Sequence, residues 1–437
     1  MSNLERQEKY TKNLSAMIRE KTVSVSNSTD KSAFYALQAR MREIFPNIFR
    51  VAELEDFGGS FLLRWRGSDE SASPILLMNH QDVVEAPGEW THPPFSGEVA
   101  DGKLWGRGTL DTKGGLWGML QAADELAEEG FVPRCDVYFS SSCDEECDGY
   151  GADAISKALK ERGIRFRFVL DEGGMIVDEP IGGAKGRFAM IGLCEKGSAD
   201  LKFIARSVGG HASTPPKNSP LVRLGAFMAA AEKKKLFKSK LSPEICEMFR
   251  TVSRCMKQPL RFVLGHPRLF SPVLKRVIPK ISDAAGAMLK TTVAFTVASG
   301  SAGSNVLPQT AYVIGNMRYS HHQGRDASIE AIKRLAAKYD IETEVMDKGF
   351  DSEVSDYKSE EFAFICSAVR HAYPDVIPTP YIMTGASDCR FMSRVSTNCL
   401  RFAPFAIDKK QLDSVHAIDE NIDVCTLAPA VDFYRFV

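Results

Sequence analysis

The chain has 437 residues, of which 44% are hydrophobic and 25% charged, and a formal net charge of -1. That length exceeds what one hydrophobic core usually supports and implies two domains, while the composition is that of an ordinary soluble globular protein. The near-neutral charge excludes the broad basic footprint that nucleic acid demands, which leaves small-molecule chemistry as the expected partner class.

The opening run MSNLERQEKY is polar where a signal peptide needs an apolar core, and no later run is long enough to span a bilayer. A cytoplasmic address is the expectation. The 10 cysteines form no C-x-x-C pair, so free, mostly buried thiols are expected rather than a disulfide framework.

Residues 3–20 and 31–44 carry apolar positions at helical spacing and predict two helices. Residues 49–54 and 60–65 read as strands around the turn signal Gly58-Gly59. The run ILLM at 75–78 then passes at once into Asn79-His80-Gln81-Asp82, the pattern of a buried parallel strand that delivers polar side chains at its carboxyl end. An imidazole and a carboxylate one residue apart suit a metal site, because a neutral ring binds best when its other nitrogen donates to an acceptor. His80 is the candidate ligand and Asp82 its brace. Downstream, Asp111 sits between Gly108 and Gly114 and opens a predicted helix over 112–127. The glycines do not make a phosphate loop, since Asp111 replaces the third glycine of that motif and no strand ends directly before it.

A strand predicted over 135–141 runs into Cys143-Asp144-Glu145-Glu146, and one over 166–170, after a helix at 152–162, into Asp171-Glu172-Gly173-Gly174. Alternation of strands and helices indicates a mostly parallel sheet covered on both faces. Adjacent carboxylates at a strand end point opposite ways, so one can hold a metal while the other faces a bound water. The competing reading is a solvated acidic loop.

After about residue 195 the texture changes. A strand at 199–205, the breaker-rich loop Gly209-Gly210-His211-Ala212-Ser213-Thr214-Pro215-Pro216, a helix at 221–234, strands at 291–298 and 311–319, a helix at 327–338 and a strand at 341–346 give a βαββαβ order. This is read as an inserted α+β domain. Within it, residues 233–290 mix Lys and Arg with Phe, Leu, Val and Pro. That composition fits a helical elaboration with a basic outer face, or an apolar cap for a greasy substrate or a membrane surface. The parallel-sheet texture returns after residue 351, with a helix at 362–371, strands at 379–384 and 399–402, and a closing helix after His416-Ala417-Ile418-Asp419-Glu420. The expected division is 1–195 and 351–437 for a catalytic domain and 196–350 for the insert.

Taken together, NHQDVV, PPFSGEVADGKLWGRGTLDTKGG, DEECDGYGA, LDEGG, GGHASTPP, GSNVLPQTAYVIGNMR and HAIDE resemble the cocatalytic-zinc peptidase and amidohydrolase family of carboxypeptidase S, aminoacylase, glutamate carboxypeptidase, carnosinase and succinyl-diaminopimelate desuccinylase. The resemblance covers nearly the whole chain and is strongest to the carboxypeptidase S branch. It implies an α/β fold, a mixed mostly parallel zinc-hydrolase sheet with a smaller inserted lid and dimerisation domain. It implies two zinc ions, replaceable by cobalt or manganese, one held by His80 and Asp171, the other by Glu146 and His416, with Asp111 bridging. Glu145 would be the general base and His211 the oxyanion stabiliser, which in dimeric relatives arrives from the partner's insert domain. Asn305, Arg318, Gly385 and Ser387 would contact the substrate, a small peptide or N-acyl amino acid. A biosynthetic deacylase of the desuccinylase or acetylornithine type, and a non-catalytic peptide-binding protein with the same fold, are the competing readings. Glu85 and Ala386-Ser387-Asp388-Cys389 depart from the family pattern at positions that bear on acyl and side-chain preference.

Overall fold

A computed structural model describes residues 3–233, 235–347 and 349–437. Its larger sheet has ten strands, in the order Glu53–Phe57, Ser60–Trp65, Val137–Ser141, Ile75–Met78, Val169–Asp171, Cys399–Arg401, Arg187–Glu195, Ile176–Asp178 and Ala406–Ile407, with Val376–Met383 also paired to Arg187–Glu195. The middle of the sheet is parallel and its first edge antiparallel, which makes it mixed, as the alternating pattern implies. Ile75–Met78 is buried along its whole length, so its apolar run needs no alternation. Helix Lys113–Glu128 is buried on nearly all sides against the amino-terminal and carboxy-terminal helices, and Leu116, Trp117 and Leu120 lie in the main core.

A second sheet of four antiparallel strands runs Thr292–Ser299, Thr310–Tyr319, Gly197–Arg206, Glu342–Asp347. Helices Pro220–Lys233 and Arg325–Ala337 cover one face, and Phe203, Leu224, Phe227, Val313, Ile332 and Leu335 make a core of their own there. Lys234, the last residue of the helix expected there, lies outside the described residues. Every strand of the large sheet falls at or before Glu195 or at or after Val376, and every strand of the small one between Gly197 and Asp347.

Two local expectations change, and one strand falls where the sequence reading assigned no element. Residues 49–51, expected in a strand, end the helix Pro46–Val51, and the strand begins at Glu53. Pro46 pre-sets the first helical position, and the remote Asp124 carboxylate accepts the N–H groups of Asn47 and Ile48 at 2.7 and 3.0 Å. The nine-residue strand Arg187–Glu195 carries no alternation in its sequence, because seven of its residues are buried. The loop around His211 contains a two-residue strand, Gly210–His211, paired with Val306–Leu307. The segment 233–290 folds as helices Pro243–Ser253, Leu260–Gly265, Ser271–Ile281 and Asp283–Leu289. No helix among the described residues is long and apolar enough to cross a membrane.

Candidate metal centre and cleft

The strand Ile75–Met78 delivers His80 into the interior, where the ring is almost fully buried. Its Nδ1 lies 2.9 Å from the carbonyl oxygen of Asp82 and 3.3 Å from the Asp82 carboxylate. With the Nδ1 proton donated there, Nε2 is left facing Asp111, 2.9 Å from Oδ1. Asp82 also accepts the backbone N–H groups of Glu145 and Glu146, at 3.2 and 3.0 Å. One buried residue therefore orients the histidine, chiefly through its carbonyl, and fixes the turn that carries both glutamates through its carboxylate.

From the other end of the chain, His416 Nε2 stands 2.9 Å from Asp111 Oδ2 and 3.2 Å from Glu146 Oε2. The two oxygens of Asp111 thus face two different imidazoles. His416 has φ of 62° and Asp419 of 58°, in the left-handed region, so the loop is bent to aim the ring. Asp111 and Glu146 push the His416 pKa up to about 10. Burial works against a charged His80, but hydrogen bonds to Asp111 and Asp82 hold its pKa well above the ordinary histidine value. His80, Asp111 and Glu146 bring ligand atoms within 4.8 Å of one another. Mixed imidazole and carboxylate donors, with an appetite for positive charge, fit divalent metal with open coordination positions.

The loop that carries Asp111 is fastened to the loop that carries His416 by Glu420. Its Oε1 accepts the N–H groups of Gly108, Leu110 and Asp111 at 3.1, 2.8 and 3.2 Å, while Oε2 meets Arg107 Nη1 at 2.6 Å. Arg107 Nη2 donates to the Ala417 carbonyl at 3.0 Å. Glu420 and Arg107 are both fully buried.

Asp111, Glu146 and His416 open on a cavity of about 680 Å³. Asp111, Glu145, Glu146, Glu172, Gly385, Arg390 and His416 line one side, and Ser198, Asp200, Asn316 and Arg318 from the four-stranded sheet line the other. Arg318 Nε donates to Asn316 Oδ1 at 3.0 Å, and Asn316 donates to Asp200 at 2.7 Å, which sets the guanidinium along the wall. Burial pushes the Glu145 carboxyl well above the usual range, opposed by His80 and by Arg390, whose Nη1 is 3.5 Å away.

Besides the buried His80 and Asp82, four residues singled out in the sequence are absent from the cavity lining. Asp171 turns its Oδ2 to the backbone N–H of Cys389 at 2.8 Å, and the neighbouring Glu172 lines the cavity instead. Burial, with Asp171 and Asp111 nearby, pushes Glu172 well above the usual carboxylate range. Ser387 is fully buried and its N–H donates to Glu195. His211 and Asn305 sit together on the exposed two-stranded ribbon, joined by the Ala212 N–H donating to the Asn305 carbonyl at 2.9 Å, and neither lines the cavity. The described residues of the segment 233–290 are also absent from its lining. Sequence reasoning missed Glu172, Arg390 and Glu420, although Glu172 and Glu420 stand inside motifs it quoted and Arg390 directly follows Cys389.

Residues 76–437 match the sequence model of peptidase family M20/M25/M40. The chain belongs to that family. It is 32% identical over 428 residues to a probable carboxypeptidase S-like 2 of Dictyostelium discoideum, covering 95% of this chain and 81% of the relative. It is 31% identical over 423 residues to an N-fatty-acyl-amino acid synthase/hydrolase of Homo sapiens, covering 94% and 84%. The fold is shared with an M20 family metallo-carboxypeptidase of Sulfolobus solfataricus, at a TM-score of 0.69 and 15% identity over 100% of this chain and 98% of that one. As an M20 member, the chain is an enzyme of the metallopeptidase and amidohydrolase type, and the family is metal-dependent.

Proposed function

We propose that this M20 enzyme hydrolyses the amide bond next to an amino acid with a free carboxylate, as a carboxypeptidase or an N-acyl-amino-acid hydrolase, using two zinc ions. The observation that carries the reading is Asp111, with an oxygen 2.9 Å from each of two histidines, on a cleft that Arg318 faces. Asp111 would bridge the ions, with Glu146 and His416 holding one and His80 the other. The carboxylate that joins His80 comes from the pair Asp171 and Glu172, and the position of Glu172 on the cavity wall favours it over Asp171. Cobalt or manganese would suit the same donors. When bound, the metal polarises an amide carbonyl and eases deprotonation of water.

Glu145 takes the proton from water and delivers it to the leaving nitrogen. Arg318 offers two parallel N–H donors to the substrate's terminal carboxylate, and Gly385 leaves room beside it. We further propose that residues 196–350 are an inserted lid and dimerisation unit. The exposed ribbon of His211 and Asn305 then reaches the cleft of a second copy, which accounts for its absence from the cleft of its own chain.

Comparing Glu172→Gln with Asp171→Asn separates the two ligand assignments. Metal analysis should find the Glu172 variant short of about one ion per chain and the Asp171 variant close to full occupancy; the reverse pattern would restore Asp171. Arg318→Ala should raise KM by about tenfold or more with a smaller change in kcat, because a charge-assisted contact to a spectator carboxylate is worth about 1.5–3 kcal/mol. The deciding experiment is a panel on the metal-loaded enzyme. It sets N-acyl amino acids, including long-chain ones, against dipeptides of matching carboxyl residue and against their carboxamides. Equal turnover of acids and carboxamides would overturn the proposal.

A further inference from the structure

The segment that the cleft does not use has an unusual surface. From residue 248 to 282 the chain has eight Lys and Arg and no Asp or Glu, in a protein whose net charge is -1. The same stretch exposes Leu260, Phe262, Leu269, Val273, Val277 and Ile281, with Leu269 70% and Ile281 78% accessible. Val273, Val277 and Ile281 recur every fourth residue of helix Ser271–Ile281 and form one stripe along it. Leu264 and Leu274 are buried in a shared core, and the rings of Phe262 and Phe270 meet at 5.7 Å. The two short helices are therefore packed together from behind and present their apolar crests outward. Arg254, Lys257, Arg261, Arg268, Arg276 and Lys280 of the same stretch are exposed, Arg276 and Lys280 one residue from the crest positions Val277 and Ile281, and none of the six forms an ion pair among the described residues.

We propose that this face docks peripherally on an anionic lipid bilayer. Aliphatic side chains enter the headgroup boundary and the surrounding cations meet anionic headgroups, the division of labour of an interfacial amphipathic helix. A second copy of the chain is a poor occupant. A two-fold interface would oppose this patch to itself, cation against cation, with no carboxylate among residues 248–282 to relieve it. Nucleic acid is also a poor match, because the crests are mostly aliphatic where a base needs a flat ring.

The test is co-sedimentation of the full chain with phosphatidylcholine vesicles, with and without phosphatidylserine, at low and high salt. The expected result is binding that requires phosphatidylserine and weakens with salt. Val273→Asp with Ile281→Asp, and separately Arg276→Glu with Lys280→Glu, should each reduce it by about tenfold or more. All four positions are exposed, so thermal melting should match the unaltered chain, and this readout does not depend on the hydrolytic activity. Failure to bind phosphatidylserine vesicles at low salt would overturn the proposal. So would equal binding by the Val273 and Ile281 variant, a change of oligomeric state in that variant, or preference for an oligonucleotide over the vesicles.

Discussion

Replacing Glu145 with Gln should leave the metal content unchanged while turnover falls by about 10²–10⁴, the usual contribution of a positioned general base. The two halves of that expectation have separate structural origins. Asp82 holds the Glu145 backbone through its N–H at 3.2 Å, so the turn does not depend on the side chain that is changed. Glu146, Asp111 and His416 keep their mutual contacts of 2.9 and 3.2 Å, none of which passes through residue 145. Glutamine fills the same volume and can accept a hydrogen bond, but cannot take up the proton. The buried setting that pushes the Glu145 carboxyl upward makes the native side chain a stronger base than an exposed glutamate. Metal analysis alongside turnover at saturating substrate checks both halves. Turnover within a few fold of the unaltered enzyme would remove Glu145 from the proton transfer, and loss of metal would make it a ligand.

The parts of the site that were legible in the sequence are those in which one local pattern carries the chemistry. The apolar run Ile75–Met78 followed by His80 and Asp82 needs only strand geometry to be read, and the structure sets His80 between the Asp82 carbonyl and Asp111, at 2.9 Å from each. Asp111, Glu146 and His416 were reached through motif resemblance, since 31 and 305 residues separate His80 and His416 from Asp111 and no periodicity links them. Orientation was less legible. Whether Asp171 or Glu172 faces the cavity depends on where the strand Val169–Asp171 ends, and on the Cys389 N–H that claims one of the two. The helix at Pro46 was illegible for the same kind of reason, because its amino-terminal partner, Asp124, comes from elsewhere in the chain. Acidic residues at strand ends announced a candidate site, but the long-range hydrogen bonds decided which of them face the cavity.

The second large effect concerns Glu420, which touches no expected ligand atom yet holds two ligand loops together. Glu420→Ala should lower the unfolding free energy by about 3–5 kcal/mol, because it leaves Arg107 buried without its counter-charge. It also removes the acceptor for the N–H groups of Gly108, Leu110 and Asp111. Glu420→Gln keeps an acceptor of the same shape while surrendering the charge, and should fall between the two. Denaturant unfolding of the metal-free chain measures the first effect. The second is read in the folded fraction. With Asp111 and His416 no longer tied through residues 107 and 420, divalent metal should bind more weakly in the Ala variant, beyond what its lost stability explains. Metal affinity equal to that of the unaltered chain, in a variant shown to be folded, would reduce Glu420 to a core anchor. Weaker binding at retained fold would show that bringing distant histidines onto one carboxylate depends on a residue outside the coordination set.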